Sequence, residues 1–348
     1  MKFGGPLILG VALLVAGCSS TPARTVAPAP SPPVSPSVSP SSSVSPSSRT
    51  TVSPRAYLQQ ALDALQDNSI DIDPKRWPAV RAQAEALARN ARTPADTYPA
   101  IRFAVASLHD EHTQFLTPRA FQDLRRKPVT PPKGELVQGR YALITVTSIG
   151  GEGVAACTES AVKAVEKLDA ASPCGWIIDV RGNIGGNAWP MMSAVLPLLH
   201  GSPVGFFVDR HGRRQPWNIR DGRVLVGDEE KLPQANTARL TSPNPPVAVL
   251  QDSYTASAAE VVVIAFRGQS DSRSFGQPTY GVPSGNISVD FPDGAVLHVT
   301  NVREADRTGH VYPSIGGIPP DVTTLPDYSS EPPAEAIAWL AQQPSCRS

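Results

Sequence analysis

The sequence predicts an α/β protein in which a helical segment precedes a core built on a largely parallel β-sheet. From Tyr141 onward, short apolar runs typical of strands alternate with stretches of helical periodicity, which is the order of βαβ units. Between Arg55 and Gln114, apolar residues recur at helical spacing instead, as at Tyr57, Ala61 and Leu65. We therefore expect helices first and a sheet after them.

The first 54 residues have a different composition from the rest. Residues 1–17 combine one charge, at Lys2, with an apolar stretch too short for a permanent membrane helix, which is typical of a secretion signal. Residues 18–54 are almost entirely Ser, Pro, Thr, Ala and Val, which predicts a disordered tether. Leu14-Val-Ala-Gly-Cys18 resembles a bacterial lipobox, and this implies cleavage before Cys18 and a lipid on its sulfur. An ordinary signal peptide with a chance Cys is the alternative.

The remaining chain divides into a helical N-terminal cap, residues 55–127, and a core domain, residues 128–348. Helices are predicted at 77–91, from Thr93 onward, and at 158–170, 187–199, 258–266 and 334–341. Strands are predicted at 141–147, 176–180, 204–208, 215–219 and 247–251. Residues 274–300 read as strands around a turn at Pro292-Asp-Gly294, and the Pro- and Lys-rich residues 128–139 read as a loop.

Charge and cysteine content exclude some function classes. Lys plus Arg equals Asp plus Glu, at 31 each, so no basic surface predicts nucleic-acid binding. No Cys or His spacing favours a zinc site, and we expect neither a metal nor a cofactor. Beyond Cys18 the cysteines are Cys157, Cys174 and Cys346, so at most one disulfide forms within the chain. Cys157 and Cys174 flank a predicted helix and are the favoured pair, although Cys346 could reach either.

Two segments place small residues where a predicted strand passes into a predicted helix. They are Asp179-Val-Arg-Gly-Asn-Ile-Gly-Gly186 and Thr255-Ala-Ser-Ala-Ala-Glu260. A helix N-terminus presents unpaired backbone N–H groups, which can hold a developing negative charge. Ser257 is therefore a candidate nucleophile, with the amides of Ala258, Gly185 and Gly186 as candidate oxyanion donors.

Both segments also have a structural interpretation. Ser257 and Glu260 fit a capping box at a helix start, and the Gly-Gly pair fits a plain βα turn that Asp179 and Arg181 could hold by pairing. A serine hydroxyl also needs a base. Position alone does not choose among the six histidines, which are His109, His112, His200, His211, His298 and His310.

Three further segments join these two to form five motifs in order. The three are Leu108-His-Asp-Glu-His-Thr113, Gly276-Gln-Pro-Thr-Tyr-Gly281 and Gly317-Ile-Pro-Pro-Asp321. In chain order the five resemble L-x-D-x-H-[ST], D-L-R-x-N-x-G-G, T-A-S-A-S-E, G-E-x-T-x-G and G-[IV]-x-P-D of the tail-specific (C-terminal processing) and tricorn-type serine peptidases. The resemblance implies a crotonase-like β/α core under a helical cap. It also implies Ser257 as the nucleophile, with Glu260, Asp179, Arg181 and Asn183 as supporting residues.

Departures from the family pattern favour one branch. The processing proteases carry a catalytic Lys where this chain has Val282, and residues 117–141 leave too little room for their PDZ module. The other branch, which includes tricorn and the nisin-resistance protein, takes its base from the D-x-H-[ST] motif, here His112. The resemblance is therefore to the PDZ-less, nisin-resistance-like branch. Tricorn-type members add a Glu near the position of Ser314, so a third catalytic member stays open.

Together these features predict an exported, membrane-tethered serine endopeptidase with a Ser257–His112 dyad. We expect its substrates to be peptides, unfolded proteins or C-terminal tails. Cys18 would anchor it in the bacterial cell envelope, on the periplasmic face of the outer membrane in a Gram-negative organism. Because an unperturbed His titrates near about 6.5, activity is expected to rise around pH 6 to 7. The alternative is a non-catalytic protein on the same scaffold that binds a hydrophobic ligand or a peptide.

Overall fold

The structure is a computed structural model that describes residues 52–150, 154–232, 234–326 and 329–347. The predicted signal segment, Cys18 and nearly all of the predicted tether lie outside these residues. The helices of the described chain are α1 Pro54–Asn68, α2 Trp77–Leu87, α3 Tyr98–Ala106, α4 Pro118–Arg125, α5 Val154–Asp169, α6 Ala188–Val195, α7 Ala258–Phe266 and α8 Ala334–Ala341. Its strands are β1 Gln114–Leu116, β2 Lys133–Val137, β3 Tyr141–Thr145, β4 Gly175–Asp179, β5 Gly205–Asp209, β6 Arg214–Arg220, β7 Arg223–Val226, β8 Glu229–Glu230, β9 Val247–Gln251, β10 Ser272–Gly276, β11 Ser284–Asp290, β12 Val296–Asp306 and β13 Val322–Thr323.

One sheet has six strands in the order β13-β10-β9-β4-β3-β2. Every neighbouring pair is parallel except β2 with β3, so the predicted largely parallel sheet is confirmed. Its central strands β4 and β9 are apolar up to their last residues, Asp179 and Gln251, because both faces of the sheet are covered. Ile144 and Ile178 pack on the side of α5, α6 and α7, whereas Leu143 and Ile177 pack on the side of α8.

A second, antiparallel sheet has the order β1-β12-β5-β6-β7-β8, with β11 also paired to β12. Both predicted hairpins are formed here, β5 with β6 and β11 with β12. Phe207 and Trp217 of this sheet belong to the same core as α6 and α7, so these helices lie between the two sheets. The sequence did not indicate that its later strands form a separate sheet.

The N-terminal helices pack against the antiparallel sheet. Tyr57, Leu62 and Ile101 share an apolar cluster with Leu297 and Val299 of β12. The strand β1, which follows these helices in the chain, pairs with β12 and so belongs to the antiparallel sheet. A 3₁₀ turn at Pro94–Thr97 begins at Thr93, the predicted start of a helix, and leads into α3. None of the helices in the described chain is long and apolar enough to span a lipid bilayer.

One prediction about local structure is wrong. Residues 128–139, predicted as a loop, contain β2, which pairs along one edge of the parallel sheet. Its Lys, Gly and Glu residues obscured the strand pattern, and such polar composition is typical of edge strands that must not pair further. Residues 118–125, which had no element of their own in the predicted helical cap, form α4 with Thr117 as its N-cap.

The favoured disulfide pair is also wrong, because Cys174 bonds to Cys346. Cys157 is a free thiol, 1% exposed, and its side chain packs inside the core between the sheets. Cys174 and Cys346 instead lie with α8 on the opposite face of the parallel sheet. The bond ties the C-terminal segment to the residue before β4, a tertiary contact that cysteine spacing could not reveal.

Candidate active site

The two small-residue segments meet because β4 and β9 are neighbouring parallel strands. Carboxyl ends of parallel strands lie at the same sheet edge, which is where polar sites form in such folds. The Thr255 hydroxyl donates to the Val180 carbonyl at 3.0 Å, and the Ala256 amide donates to the Asn183 carbonyl at 2.9 Å. The Gly182 amide donates to both carboxylate oxygens of Asp252, at 3.0 and 3.1 Å. The segments therefore form one connected unit.

Ser257 occupies the N-cap of α7 with φ 51° and ψ −116°. Positive φ is strained for a residue with a side chain, and such strain is concentrated at functional sites. The side chain is buried, and its Oγ has no hydrogen-bond partner among the described residues. Ser257 and Glu260 have the predicted capping-box arrangement, in which Glu260 accepts the Ser257 N–H at 2.7 Å, but the Ser257 hydroxyl makes no hydrogen bond of normal geometry there. The hydroxyl is thus left available for chemistry.

Glu260 is a buried carboxylate that braces the turn around Ser257. Besides the Ser257 amide, it accepts hydrogen bonds from the Thr279 hydroxyl at 2.6 Å and from the amides of Gly281 and Val282 at 3.2 and 3.0 Å. Burial raises the pKa of Glu260 to about 7, against the opposing effect of these donors. Burial also raises the pKa of Glu304 well above its usual range, with the Glu260 charge adding to the effect.

The candidate oxyanion donors differ in availability. The Ala258 amide is the first of α7, and no described group accepts a hydrogen bond from it or from the Gly186 amide. The Gly185 amide instead donates to Asn183 Oδ1 at 2.9 Å. Gly186 has φ 132°, and a Cβ there would lie 2.2 Å from the Ile149 carbonyl oxygen, so only glycine fits. Ala258 and Gly186 are therefore the free donors, and Gly185 is not one.

Asp179, Arg181 and Asn183 hold the first segment in shape. Arg181 binds Asp179 through two hydrogen bonds, from Nε at 2.9 Å and from Nη2 at 2.7 Å, which is the expected local pair. Asn183 Nδ2 donates to the Val146 carbonyl at 2.8 Å, while its Oδ1 accepts from the Ser148 hydroxyl at 3.0 Å. These contacts link the end of β4 to the chain that leaves β3.

His112 reaches the same region from the loop between α3 and β1. It is 1% exposed, its Nδ1 lies 2.8 Å from Ser284 Oγ, and its Nε2 has no described partner. Burial lowers the pKa of His112 to about 4, an effect that His298 and Arg303 strengthen and Asp110 opposes. The imidazole is therefore neutral at physiological pH, which is the form a general base requires.

A short chain of contacts connects His112 to Ser257. Ser284 donates its backbone N–H to the Val282 carbonyl at 2.8 Å, and the Val282 amide reaches the same Glu260 carboxylate that holds Ser257. Ser257 Oγ and His112 Nε2 do not hydrogen-bond to each other in this structure. Catalytic hydrogen bonds are often long or absent without substrate, so the arrangement fits a resting dyad.

The other histidines have different neighbours. His200 bonds Asp271, His298 bonds Ser288, and His310 packs edge-on against Tyr312. Ser314 contacts Arg303, so it does not orient His112. Sequence reasoning missed Ser284 and Asn286, whose Nδ2 donates to the His112 carbonyl at 3.1 Å. No local pattern marks these residues, because each lies more than 170 positions from His112.

A buried, strained serine at a helix N-terminus, with free backbone donors and a nearby neutral histidine, defines a serine hydrolase site. The sequence model of peptidase family S41 matches residues 140–324. That match covers more than half of the chain, so the chain belongs to peptidase family S41 and is a serine peptidase.

Individual relatives agree with the family assignment. The nisin-resistance protein of Lactococcus lactis subsp. lactis is 27% identical over 301 residues, which cover 84% of this chain and 88% of that protein. The carboxy-terminal processing protease CtpA of Bacillus subtilis is 25% identical over 209 residues, and this match covers 60% of the present chain but only 40% of CtpA.

Solved structures support the fold. A lipoprotein from Streptococcus agalactiae superposes with a TM-score of 0.71 and 23% identity, covering 83% of this chain and 96% of that one. The photosystem II D1 C-terminal processing protease superposes with a TM-score of 0.56 and 17% identity, covering 79% and 94%. At these identities the likeness concerns the mixed α/β fold alone.

Proposed function

We propose that this protein is an exported serine endopeptidase in which His112 is the general base for Ser257. The observation that carries the proposal is the pair of buried, unpartnered reactive atoms, Ser257 Oγ and His112 Nε2, tied to one another through Glu260 and the chain at Val282. A structural serine or histidine at such depth would ordinarily have its hydrogen-bonding capacity satisfied. Ser193 Oγ and His298 Nε2 are also buried without a described partner. The support for the proposal is therefore that Glu260, Val282 and Ser284 link Ser257 to His112.

The chemistry is acyl transfer. His112 Nε2 takes the Ser257 proton as Oγ attacks the peptide carbonyl carbon, and the amides of Ala258 and Gly186 stabilise the oxyanion. His112 then returns the proton to the leaving amine as the C–N bond breaks. Water then takes the place of the amine: His112 takes a proton from it as its oxygen attacks the acyl carbon, and returns that proton to Ser257 Oγ as the ester bond breaks. Glu260 and the Asp179–Arg181 pair keep the turns in place and move no proton.

The substrate we propose is a peptide or an unfolded protein segment. The names of two relatives support this class, since one confers resistance to the peptide nisin and the other processes carboxyl termini. The N-terminal helices packed on β11 and β12 would act as a cap over a crotonase-like core, and the substrate would enter between them. His112 lies in the loop that joins the two parts, which supports a cleft at this position.

We also propose that the protein is anchored in the bacterial cell envelope through a lipid on Cys18. The lipobox-like Leu14-Val-Ala-Gly-Cys18 and the Ser/Pro-rich segment after it support this location. Metabolic labelling with a palmitate analogue should mark the wild-type protein and not the Cys18→Ser variant. Recovery of unlabelled wild-type protein without detergent would contradict the anchor and leave the peptidase proposal untouched.

The decisive test of the activity is covalent labelling with a fluorophosphonate probe. Wild-type protein should be labelled and should cleave a peptide library, as read by mass spectrometry, whereas Ser257→Ala should do neither. His112→Ala should fold and be labelled far more slowly. A wild type that binds peptides but is neither labelled nor able to cleave them would instead be a binding protein on this scaffold.

A further inference from the structure

The partner of the His112 ring is a serine from a distant strand. Ser284 opens β11 and is 1% exposed, and its Oγ lies 2.8 Å from His112 Nδ1 across 172 residues of sequence. No described carboxylate bonds to Nδ1. The nearby Asp110 carboxylate accepts hydrogen bonds from the His112 amide, at 2.9 Å, and from the amide and hydroxyl of Thr113, at 3.1 and 2.5 Å.

One further contact of Ser284, long but to an acceptor, favours one direction for this hydrogen bond. A serine hydroxyl has one proton to donate and two lone pairs with which to accept. Ser284 Oγ lies 3.5 Å from the Val282 carbonyl, an acceptor that can take that proton. With its proton directed there, Ser284 accepts from Nδ1–H, and the lone pair of His112 is placed on Nε2. The opposite direction would put a proton on Nε2, and that atom could then not accept the Ser257 proton.

Contacts to the backbone of His112 restrain the position of its ring. Asp110 fixes the His112 backbone N–H, and Asn286 Nδ2 donates to the His112 carbonyl at 3.1 Å. Ser284 and Asn286 lie two residues apart on β11, so the strand holds His112 at both its ring and its backbone. The register of β11 against β12 shifts between Gly285 and Asn286, an irregularity of the kind that re-aims side chains beside active sites.

We propose that Ser284 is the positioning residue of the dyad, holding His112 as the Nδ1–H tautomer so that Nε2 can accept the Ser257 proton. This proposal rests on the proposed function and deepens it. In a Ser-His-Asp triad the third member is a carboxylate that both orients the ring and stabilises its positive form. Ser284 orients the ring without supplying a charge. The charged and titratable groups that face the ring are then Asp110, His298 and Arg303.

The test combines kinetics with histidine ¹⁵N NMR on the full chain, in wild type, Ser284→Ala and Ser284→Thr. The wild-type His112 signals should identify the Nδ1–H tautomer, and Ser284→Ala should shift them toward Nε2–H. Because His112 loses its ring partner, the kcat of Ser284→Ala should be about 10- to 100-fold lower than that of the wild type, while KM changes less than about twofold. Ser284→Thr keeps the hydroxyl and should restore both the tautomer and most of the kcat.

A matched control comes from the same strand. Ser288 Oγ lies 3.0 Å from Nδ1 of the buried His298, so Ser288→Ala removes an equivalent contact from a histidine outside the dyad. It should leave the His112 tautomer unchanged and lower kcat far less than Ser284→Ala does. A wild-type Nε2–H tautomer, or a Ser284→Ala enzyme with unchanged tautomer and kcat, would overturn the proposal. The wild-type tautomer is measured without turnover, so it tests the proposal even if Ser284→Ala does not fold. Activity that survives in Ser257→Ala would instead overturn the proposed function.

Discussion

The two halves of the site are built in different ways. The nucleophile side, residues 179–186 and 252–260, joins the ends of two adjacent parallel strands, and its paired charges, Asp179 and Arg181, belong to the same short segment. The base side, residues 110–113 and 284–286, joins a loop to a distant strand through hydrogen bonds such as that from His112 to Ser284. Local backbone geometry therefore positions Ser257, the proposed nucleophile, whereas tertiary packing positions His112, the proposed base.

The largest expected effect is on the nucleophile side. Ser257→Ala should lower kcat/KM by at least about a thousandfold, because the attacking atom is gone. Its folding free energy should hardly change, since Oγ has no described partner to lose. Ser257→Gly should be equally inactive but more stable by about 1 kcal/mol, because glycine relieves the strain at φ 51°.

Urea denaturation of both variants, with peptide hydrolysis on the same samples, makes this comparison. Equal stability of the Gly and Ala variants would show that the turn at Ser257 is not strained. It would also contradict the explanation that local backbone geometry positions the Ser257 side chain.

On the base side, His112→Ala should lower kcat/KM by about a thousandfold, since Ser257 loses its proton acceptor. Unlike Ser257→Ala, it should also destabilise the fold, by about 1–3 kcal/mol, because it leaves Ser284 and a buried space without their partner. The exposed His109, three residues earlier, provides the control, and His109→Ala should retain near-wild-type turnover. An inactive His109→Ala together with an active His112→Ala would reverse the assignment of the base.

Backbone geometry on the nucleophile side can be tested at its glycines. Gly186→Ala should lower kcat about a hundredfold by disturbing an oxyanion donor. It should also cost about 2–4 kcal/mol of stability, since its Cβ would collide with the Ile149 carbonyl. Gly182 also has positive φ, 69°, but a Cβ there meets nothing within 4 Å, so Gly182→Ala should cost only about 1 kcal/mol. Equal activity losses in the two variants would argue against a specific role for Gly186.

The smallest effect concerns the pH profile, which sharpens the description of the base side. Only neutral His112 can accept a proton, and burial lowers its pKa to about 4. The acidic limb of kcat/KM should therefore lie near pH 4, and activity should fall as pH drops through that value. This replaces the pH 6 to 7 expected for an unperturbed histidine. If the acidic limb of kcat/KM lies near pH 7 and is lost in Glu260→Gln, it belongs to Glu260, whose pKa is raised to about 7. If a limb near pH 7 is still present in Glu260→Gln, it would contradict a buried histidine as the base.

The same contrast explains what the sequence could predict. Strand-to-helix patterns located α7 and the small-residue turns, so Ser257 and the neighbouring amides could be proposed as candidates from the residues alone. His112 was singled out only by the family motif, and Ser284 by nothing, because a residue in a distant strand leaves no local signal. Gly185 was expected as a donor, but its engagement by Asn183 depends on side-chain geometry. The disulfide was mispredicted for the same reason, since sequence spacing does not report which face of a sheet a cysteine occupies.

The disulfide between Cys174 and Cys346 closes the chain into a covalent ring that contains Ser257 and Ser284 but not His112. A single nick inside the ring would open it without releasing a fragment, so both pieces would stay at high effective concentration and could keep the nucleophile in place. A nick between His112 and Cys174 has no such safeguard, because only non-covalent packing would then hold the base. In an oxidising compartment shared with other peptidases, the part of the core that carries Ser257 would therefore outlast its covalent attachment to the segment that carries His112.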